Sequence, residues 1–357
     1  MSSSEEPPVV VLSATQEEAA GAKLRVGGIT VAERAIRQLA QTSETRLLLA
    51  TDGSVPLPAA LPTNVEVRTV ADPAGARALA AELGAPLVGA DVVRLDRRRL
   101  DAGVRITDEA TRRGAEDAIF AALFRPDLGF VARRVNKPMS VRFTRHVLVH
   151  TRVTPNQITL FAAALGILGC AFIATGNYGW VVLGFLLEQL QSMLDGCDGE
   201  LARVRFQQSK FGAWLDTFVD DVLNVLITVA VGIGMWRAGA GSWAVAVGLA
   251  GGAMLVVSNL VIMRDMRRQG ASGDLMDMVW WFSGGRKLGD LPAGDGRPGV
   301  GTFLFQLGRR DTALLLWLGF ALVHQLALVM LMATIIALAW FVASVAQLVI
   351  APAAPAR

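Results

Sequence analysis

Four aspartates between Asp195 and Asp220 are the residues whose type and spacing could do chemistry. The segment reads Asp195-Gly-Cys-Asp198-Gly199-Glu-Leu-Ala202-Arg203, then eight residues, then Gly212-Ala-Trp-Leu-Asp216-Thr-Phe-Val-Asp220. These acids lie inside or beside long apolar stretches, and an ionisable group at membrane depth is costly enough to mark function by default. On a helix, Asp195, Asp198 and Gly199 share one face, and Gly212, Asp216 and Asp220 share one face of the next. Two such helices facing each other gather four carboxylates around a void left by two glycines. Carboxylates that close repel unless cations neutralise them. Hard oxygen ligands of this kind select Mg²⁺ or Mn²⁺, which in turn hold phosphate oxygens. Two ions clamping a diphosphate suit in-line displacement at phosphorus, with a spare carboxylate taking the proton of an incoming hydroxyl. Gly199 lets a nucleotide come close to its helix, and Arg203 offers a phosphate its fork of donors.

The elements that must position these groups follow from hydropathy. At 357 residues, with 53% hydrophobic residues and a mean hydropathy of +0.45, the chain is too apolar for an ordinary soluble protein. The expected fold is mostly α and membrane-embedded, preceded by a small cytoplasmic α/β domain. Six spans are drawn at Asn156–Thr175, Tyr178–Leu194 running into the motif, Gly212–Trp236, Ser242–Met263, Asp311–Val323 and Leu326–Ile350. Each approaches the length that crosses about 30 Å of hydrocarbon, except the short fifth. Basic residues fall on one side: Arg133, Arg134, Arg203, Arg205, Lys210, Arg264, Arg267, Arg268, Arg286, Lys287, Arg309 and Arg310. The opposite loops hold a single arginine, Arg237. The excess places both termini, the α/β domain and the carboxylates on the cytoplasmic side of the inner membrane. Residues Val135–Arg152 read as an amphipathic helix on that face. The domains are therefore 1–128 (α/β), 135–152 (interfacial helix) and 153–352 (membrane domain), with a linker over Arg125–Gly129 and a cytoplasmic loop over Gln269–Gly301.

Within the first domain, Val9–Ala14, Arg46–Ala50, Val65–Val70 and Pro86–Val93 read as strands. Helices are expected over Val31–Gln41, over Pro73–Leu83 with Asp72 as N-cap, and over Asp108–Phe124 with Thr107 as N-cap. That alternation predicts a parallel sheet. Met1–Pro8 lacks the basic region followed by an apolar run that a signal peptide shows. Cys170 and Cys197, the only cysteines, are read as packing residues, and no disulfide framework is expected.

The motif resembles the signature of the CDP-alcohol phosphotransferase family, D-x-x-D-G-x-x-A-R-x8-G-x3-D-x3-D, at every fixed position. The likeness covers roughly 135–352 and includes Thr154-Pro155-Asn156-Gln157. It implies that Asp195, Asp198 and Asp216 coordinate the ions, and that Asp220 supports the second ion and is the general base. It also implies that Gly199, Ala202 and Arg203 line the cytidine diphosphate site, with Gly212 packing near it. The implied reaction is attack of an acceptor hydroxyl on the phosphorus carrying the donor alcohol, with CMP leaving. A homodimer through membrane helices is implied as well, and no nucleic-acid partner is expected. The stretches Leu194–Arg203 and Ser209–Thr217 look like the di-myo-inositol phosphate phosphate synthase branch, where a cytidylyltransferase domain precedes the membrane domain.

The first domain departs from what such a cytidylyltransferase needs. Val9–Ala14 should lead into a Gly-rich, basic loop, but it leads into Thr15-Gln16-Glu17-Glu18-Ala19-Ala20-Gly21, whose acids repel a triphosphate. Lys23 and Arg25 are the nearby candidates for the basic groups, and Asp91 is the candidate for the metal aspartate. A degenerate domain is expected, which turns the donor towards CDP-diacylglycerol and the acceptor towards a polyol or polyol phosphate. Arginine use over lysine reads as mesophilic, against synthesis of a hyperthermophile's solute. Lys137, Arg142, Arg264, Arg267, Arg268, Arg309 and Arg310 are the candidate pocket for an anionic acceptor. One alternative is a phosphodiester synthase using CDP-inositol or a similar soluble donor. Another is a cation transporter or scaffold, which the lack of an internal repeat disfavours.

Overall fold

The computed structural model describes residues 9–41, 46–58, 60–94, 103–124, 131–269, 278–281, 283 and 309–350. The expected linker at Arg125–Gly129 and most of Gln269–Gly301, with Arg286 and Lys287, lie outside the described residues. The chain divides into two compact units. One gathers Met1–Arg125, Val141–Arg152 and Glu200–Gln207; the other gathers Pro126–Ser140, Val153–Gly199 and Gln208–Arg357.

In the first unit, β1 (Val9–Ala14) and β4 (Arg46–Thr51) are apolar runs buried on both faces, as inner strands of a parallel sheet must be. The sheet order is β5-β4-β1-β6, all parallel, with β5 at Val65–Thr69 and β6 at Leu87–Gly89. Parallel neighbours require crossovers: α2 (Val31–Ala40) lies between β1 and β4 and α3 (Pro73–Glu82) between β5 and β6, while β4 passes to β5 without a described helix. Side chains alternate accordingly. Val10, Leu12, Leu47 and Leu49 pack with Ile36 and Leu39 of α2, while Val11, Leu48 and Ala50 pack with Ala76 and Ala80 of α3. Each large aliphatic group so buried contributes roughly 1.5–3 kcal/mol. Asp72 caps α3, accepting from Gly75 N at 2.8 Å. A four-residue helix α1 (Ala19–Ala22) and the hairpin β2 (Arg25–Val26) with β3 (Ile29–Thr30) complete the approach to α2.

Two expectations are corrected. Pro86–Val93 is two strands: β6 ends at Gly89, and β7 (Val92–Arg94) turns away to pair antiparallel with β8 (Gly103–Arg105). The N-cap of α4 (Glu109–Ala121) is Asp108, not Thr107. The Asp108 carboxylate accepts from Thr111 N at 2.8 Å, and the Thr111 hydroxyl accepts from Asp108 N at 3.1 Å. Two donors are thus satisfied reciprocally at that residue.

The helix expected over 135–152 starts and ends earlier than expected: a π-helical stretch at Ala132–Asn136 runs into α5 (Lys137–His146), and a 3-10 turn follows at Leu148–His150. Arg205 supplies the reason for the early end. Its guanidinium donates to Leu148 O, Val149 O and Thr151 O at 3.0, 3.1 and 2.7 Å, drawing carbonyls out of helical register.

The second unit is helical. Its helices are α6 (Pro155–Ile173), α7 (Tyr178–Arg205, which runs on into the first unit), α8 (Lys210–Met235), α9 (Trp243–Gln269), α10 (Arg310–Leu322) and α11 (Leu326–Ile350). Thr154 and Gln157 form a capping box at α6, and Ser209 caps α8 by accepting from Gly212 N at 2.9 Å. Helices α8 and α9 pack backbone to backbone: a Cβ at Gly232 would meet Ala244 O at 2.7 Å and Gly248 Cα at 3.0 Å. Among the described residues, four helices are long and apolar enough to cross a membrane, namely Pro155–Ile173, Lys210–Ala240, Trp243–Gln269 and Leu326–Ile350. The chain is a multi-pass membrane protein. The other two expected spans differ in kind. Helix α7 carries Glu188, Asp195, Asp198, Glu200, Arg203 and Arg205. Helix α10 has 13 residues, about 20 Å of rise against about 30 Å of hydrocarbon.

Candidate metal and phosphotransfer site

Helix periodicity puts Asp195 and Asp198 of α7 on one face and Asp216 of α8 opposite them. One carboxylate oxygen from each of the three lies within 4.8 Å of the others. Thr159 of α6 donates its hydroxyl to Asp198 Oδ2 and so holds that carboxylate, which is 6% exposed. Oδ1 of Asp195 is buried without a hydrogen-bond partner. A buried carboxylate oxygen left so is costly unless a cation completes it. An octahedral Mg²⁺ shell takes such oxygens at about 2.1 Å from the ion, so the three would draw together around it. The donor set fits a hard divalent ion.

Asp220 stands apart from that triad. It lies one turn beyond Asp216 on α8, and its Oδ1 accepts from Arg310 of α10. Arg310 also donates to Gln191 Oε1 at 2.8 Å, and Gln191 is fully buried on α7. Arg310 thus ties three helices together beside the acids, whereas the sequence had suggested only an acceptor rim for it. Thr159 and Gln191 escaped the sequence reading. Gln191 is one turn before Asp195 on the same face, a signal that was available; nothing local marked Thr159.

The remaining candidates scatter. Gly199 follows Asp198 on α7. Ala202 and Arg203 lie on the last turns of that helix, in residues that belong to the first unit. A Cβ at Gly212 would come within 3.0 Å of Asn156 Oδ1, so the start of α8 approaches that of α6 closely. Lys137 opens α5, and Arg142 is exposed in the part of α5 assigned to the first unit. Arg264, Arg267 and Arg268 are exposed on the final turns of α9, and Arg309 pairs with Asp311 at 3.5 Å.

The first unit has a cleft of its own, about 600 Å³, lined by Glu17, Gly21, Arg77, Asp91, Arg105 and Thr107 among others. It opens beyond the C-terminal ends of β1 and β6, where the sheet order reverses, the usual ligand position of an open α/β sheet. Its basic groups are paired within the cleft: Arg77 with Glu17 at 3.0 Å and Arg105 with Asp91 at 2.6 Å. The loop after β1 carries its own anion, since Glu18 accepts from Thr15 N at 2.9 Å and from the Thr15 hydroxyl at 2.8 Å. Burial raises the Asp91 pKa, against the lowering effect of Arg105.

Fold and site together define a membrane-embedded protein whose helix pair presents a carboxylate cluster suited to divalent ions. The chain belongs to the CDP-alcohol phosphatidyltransferase family, whose model matches residues 152–345, more than half of its length. It is 33% identical over 127 residues to a bifunctional IPC transferase and DIPP synthase of Archaeoglobus fulgidus, covering 36% of this chain and 25% of that relative. A protein of the same name from Aquifex aeolicus is 41% identical over 92 residues, 26% of this chain and 20% of the relative. A phosphatidylinositol phosphate synthase of Corynebacterium glutamicum is 34% identical over 79 residues, 22% and 35% of the two chains. The chain spans a quarter or less of the length of the two bifunctional relatives.

Proposed function

We propose that the chain is a divalent-metal-dependent CDP-alcohol phosphotransferase. It moves a phosphoalcohol, phosphatidyl from CDP-diacylglycerol, to a hydroxyl of a polyol or polyol phosphate and releases CMP. The observation that carries this is the three-aspartate cluster formed by the family motif. Asp195, Asp198 and Asp216 would hold Mg²⁺ or Mn²⁺, two ions with Asp220 supporting the second, and the ions would neutralise diphosphate charge during displacement. The acceptor oxygen bonds to the phosphorus bearing the donor alcohol, the bond from that phosphorus to the CMP oxygen breaks, and the hydroxyl proton passes to Asp220. Arg310, on Oδ1, fixes the orientation of that carboxylate. Gly199 and Gly212 leave room for the nucleotide, with Ala202 and Arg203 following on α7. Lys137, Arg142, Arg264, Arg268 and Arg309 are proposed to attract an anionic acceptor.

The same proposal counts α7 and α10 as spans, six in all. It puts both termini and the site on the cytoplasmic side of the inner membrane, and the protein as a homodimer. The domain division 1–128, 135–152 and 153–352 belongs to it too. The first unit is proposed to be a degenerate cytidylyltransferase-like domain. Support comes from the Glu18 carboxylate in its phosphate loop and the paired arginines of its cleft.

A second reading, favoured by the names of the bifunctional relatives, is a di-inositol-phosphate-type synthase fed by soluble CDP-inositol. Purified protein given each donor against a set of alcohols, scored by CMP release, separates the two. Release with CDP-diacylglycerol supports the lipid reading, and release with CDP-inositol alone overturns it. Release with neither donor removes the enzyme and leaves a transporter or scaffold.

A further inference from the structure

Helix α8 carries a polar residue that the carboxylate motif does not use. Asn224 lies one turn beyond Asp220, within a helix long and apolar enough to cross a membrane. Its side-chain amide makes no hydrogen bond among the described residues. Hydrocarbon offers an amide no partner, so polar side chains at that depth belong to interiors and cavities. Asn224 lines a cavity of about 70 Å³ among α8, α9, α10 and α11, with Leu255, Ala313 and Ile336 among the apolar walls. Two further donors border it. Arg310 is one, and it also donates to Asp220. Trp317, two turns further along α10, is the other; it is 7% exposed, and its Nε1 is buried without a hydrogen-bond partner. A buried indole N–H usually has an acceptor, and leaving that bond unmade is costly. All of these residues belong to the second unit.

The cavity is thus rich in donors, walled by hydrocarbon, and continuous with the phosphotransfer site through Arg310. Such surroundings suit a carbonyl oxygen carried by an apolar chain. A polyol would leave hydroxyls unpaired against the apolar walls. We propose that Asn224 and Trp317 form a subsite for a fatty-acyl ester carbonyl of the donor, and so select a diacylglycerol over a soluble alcohol. The spacing agrees. Asn224 is one helical turn past Asp220, about 6 Å of rise, and an ester carbonyl follows its glycerol-bound phosphorus by a few bonds, roughly 6 Å when extended. The inference rests on the lipid-donor reading proposed above.

The test compares CDP-diacylglycerol with its ether analogue, CDP-dialkylglycerol, which keeps both chains and lacks both carbonyls. The full chain in nanodiscs is scored for nucleotide lipid retained, by mass spectrometry, and for CMP released. Wild type should favour the ester donor on the order of threefold to tenfold, as one or two hydrogen bonds would give. Asn224→Leu and Trp317→Phe should each bring that ratio towards one. Asn224→Leu should also melt no lower than wild type, because its amide has no partner to lose. The proposal is overturned if wild type shows no ester preference or retains neither lipid. It is equally overturned if the variants lose both donors alike, or raise KM for the acceptor alcohol alone. Should one variant not fold, the other decides by the same ratio. If neither donor yields CMP, the transferase reading fails instead, and the retention ratio alone decides the subsite.

Discussion

Replacing Asp195 by asparagine separates the carboxylates' mutual repulsion from their service to a cation. With oxygens up to 4.8 Å apart, two unit charges at an effective dielectric near 20 repel by about 3.5 kcal/mol. Asp195 takes part in two such pairs, with Asp198 and Asp216. Water, side-chain reorientation and the hydrogen bonds an amide must find reduce the relief to a net gain of roughly 1–2 kcal/mol in metal-free protein. With metal the sign reverses. An ion present at about 100 times its dissociation constant stabilises wild type by about 2.7 kcal/mol, and Asp195→Asn should lose that increment. The assay is thermal unfolding in detergent, followed by tryptophan fluorescence, with and without Mn²⁺. The variant should melt at or above wild type without metal and below it with metal. An Asp195→Asn protein that keeps the full Mn²⁺ shift would refute the assignment of Asp195 as a ligand.

Four further outcomes are expected. Asp220→Asn should lower CMP release by about 10²–10⁴-fold yet keep a Mn²⁺-induced thermal shift, because Asp220 lies outside the three-aspartate cluster; full turnover in that variant would remove it as the base. Arg310→Gln should destabilise by roughly 1–3 kcal/mol, discounted because the Asp220 side chain keeps 35% of its exposure, and Asp220→Asn in the same chain should recover part of the loss in chemical unfolding. Asp91 has a folded pKa raised by burial, so it costs the fold stability as pH rises from its ordinary value of 3.8 towards the raised one; Asp91→Asn should flatten that decline in a pH series of melting curves. Glu109 runs the other way, held at about 2 by Arg112 and Arg113 against an ordinary 4.5. Its contribution is full above that ordinary value and fades as pH falls through about 2, and Glu109→Gln should abolish the fade.

Much of this was legible because it is local. The runs Val9–Ala14 and Arg46–Ala50 announced buried strands, the Asp72-Pro73 pair announced the start of α3, and the i, i+3 and i+4 spacing of the acids put them on helix faces. Boundaries failed where a distant partner decided them. The helix expected over 135–152 ends at His146, where Arg205, 57 residues from Leu148, takes the carbonyl of the turn that follows, and Pro86–Val93 splits because β8 draws β7 out of the parallel sheet.

Sequence by itself determined that Asp195, Asp198 and Asp216 could meet, since helical periodicity and hydropathy follow from neighbouring residues. It also set the expectation of a hard cation, because ligand hardness follows from the donor atoms. Only tertiary structure decided what holds the acids of the motif: Thr159 on Asp198 across 39 residues and Arg310 on Asp220 across 90. No periodicity links such residues. Their pairing depends on which faces of separate elements are packed together, and on a buried charge taking whichever partner that packing brings within reach.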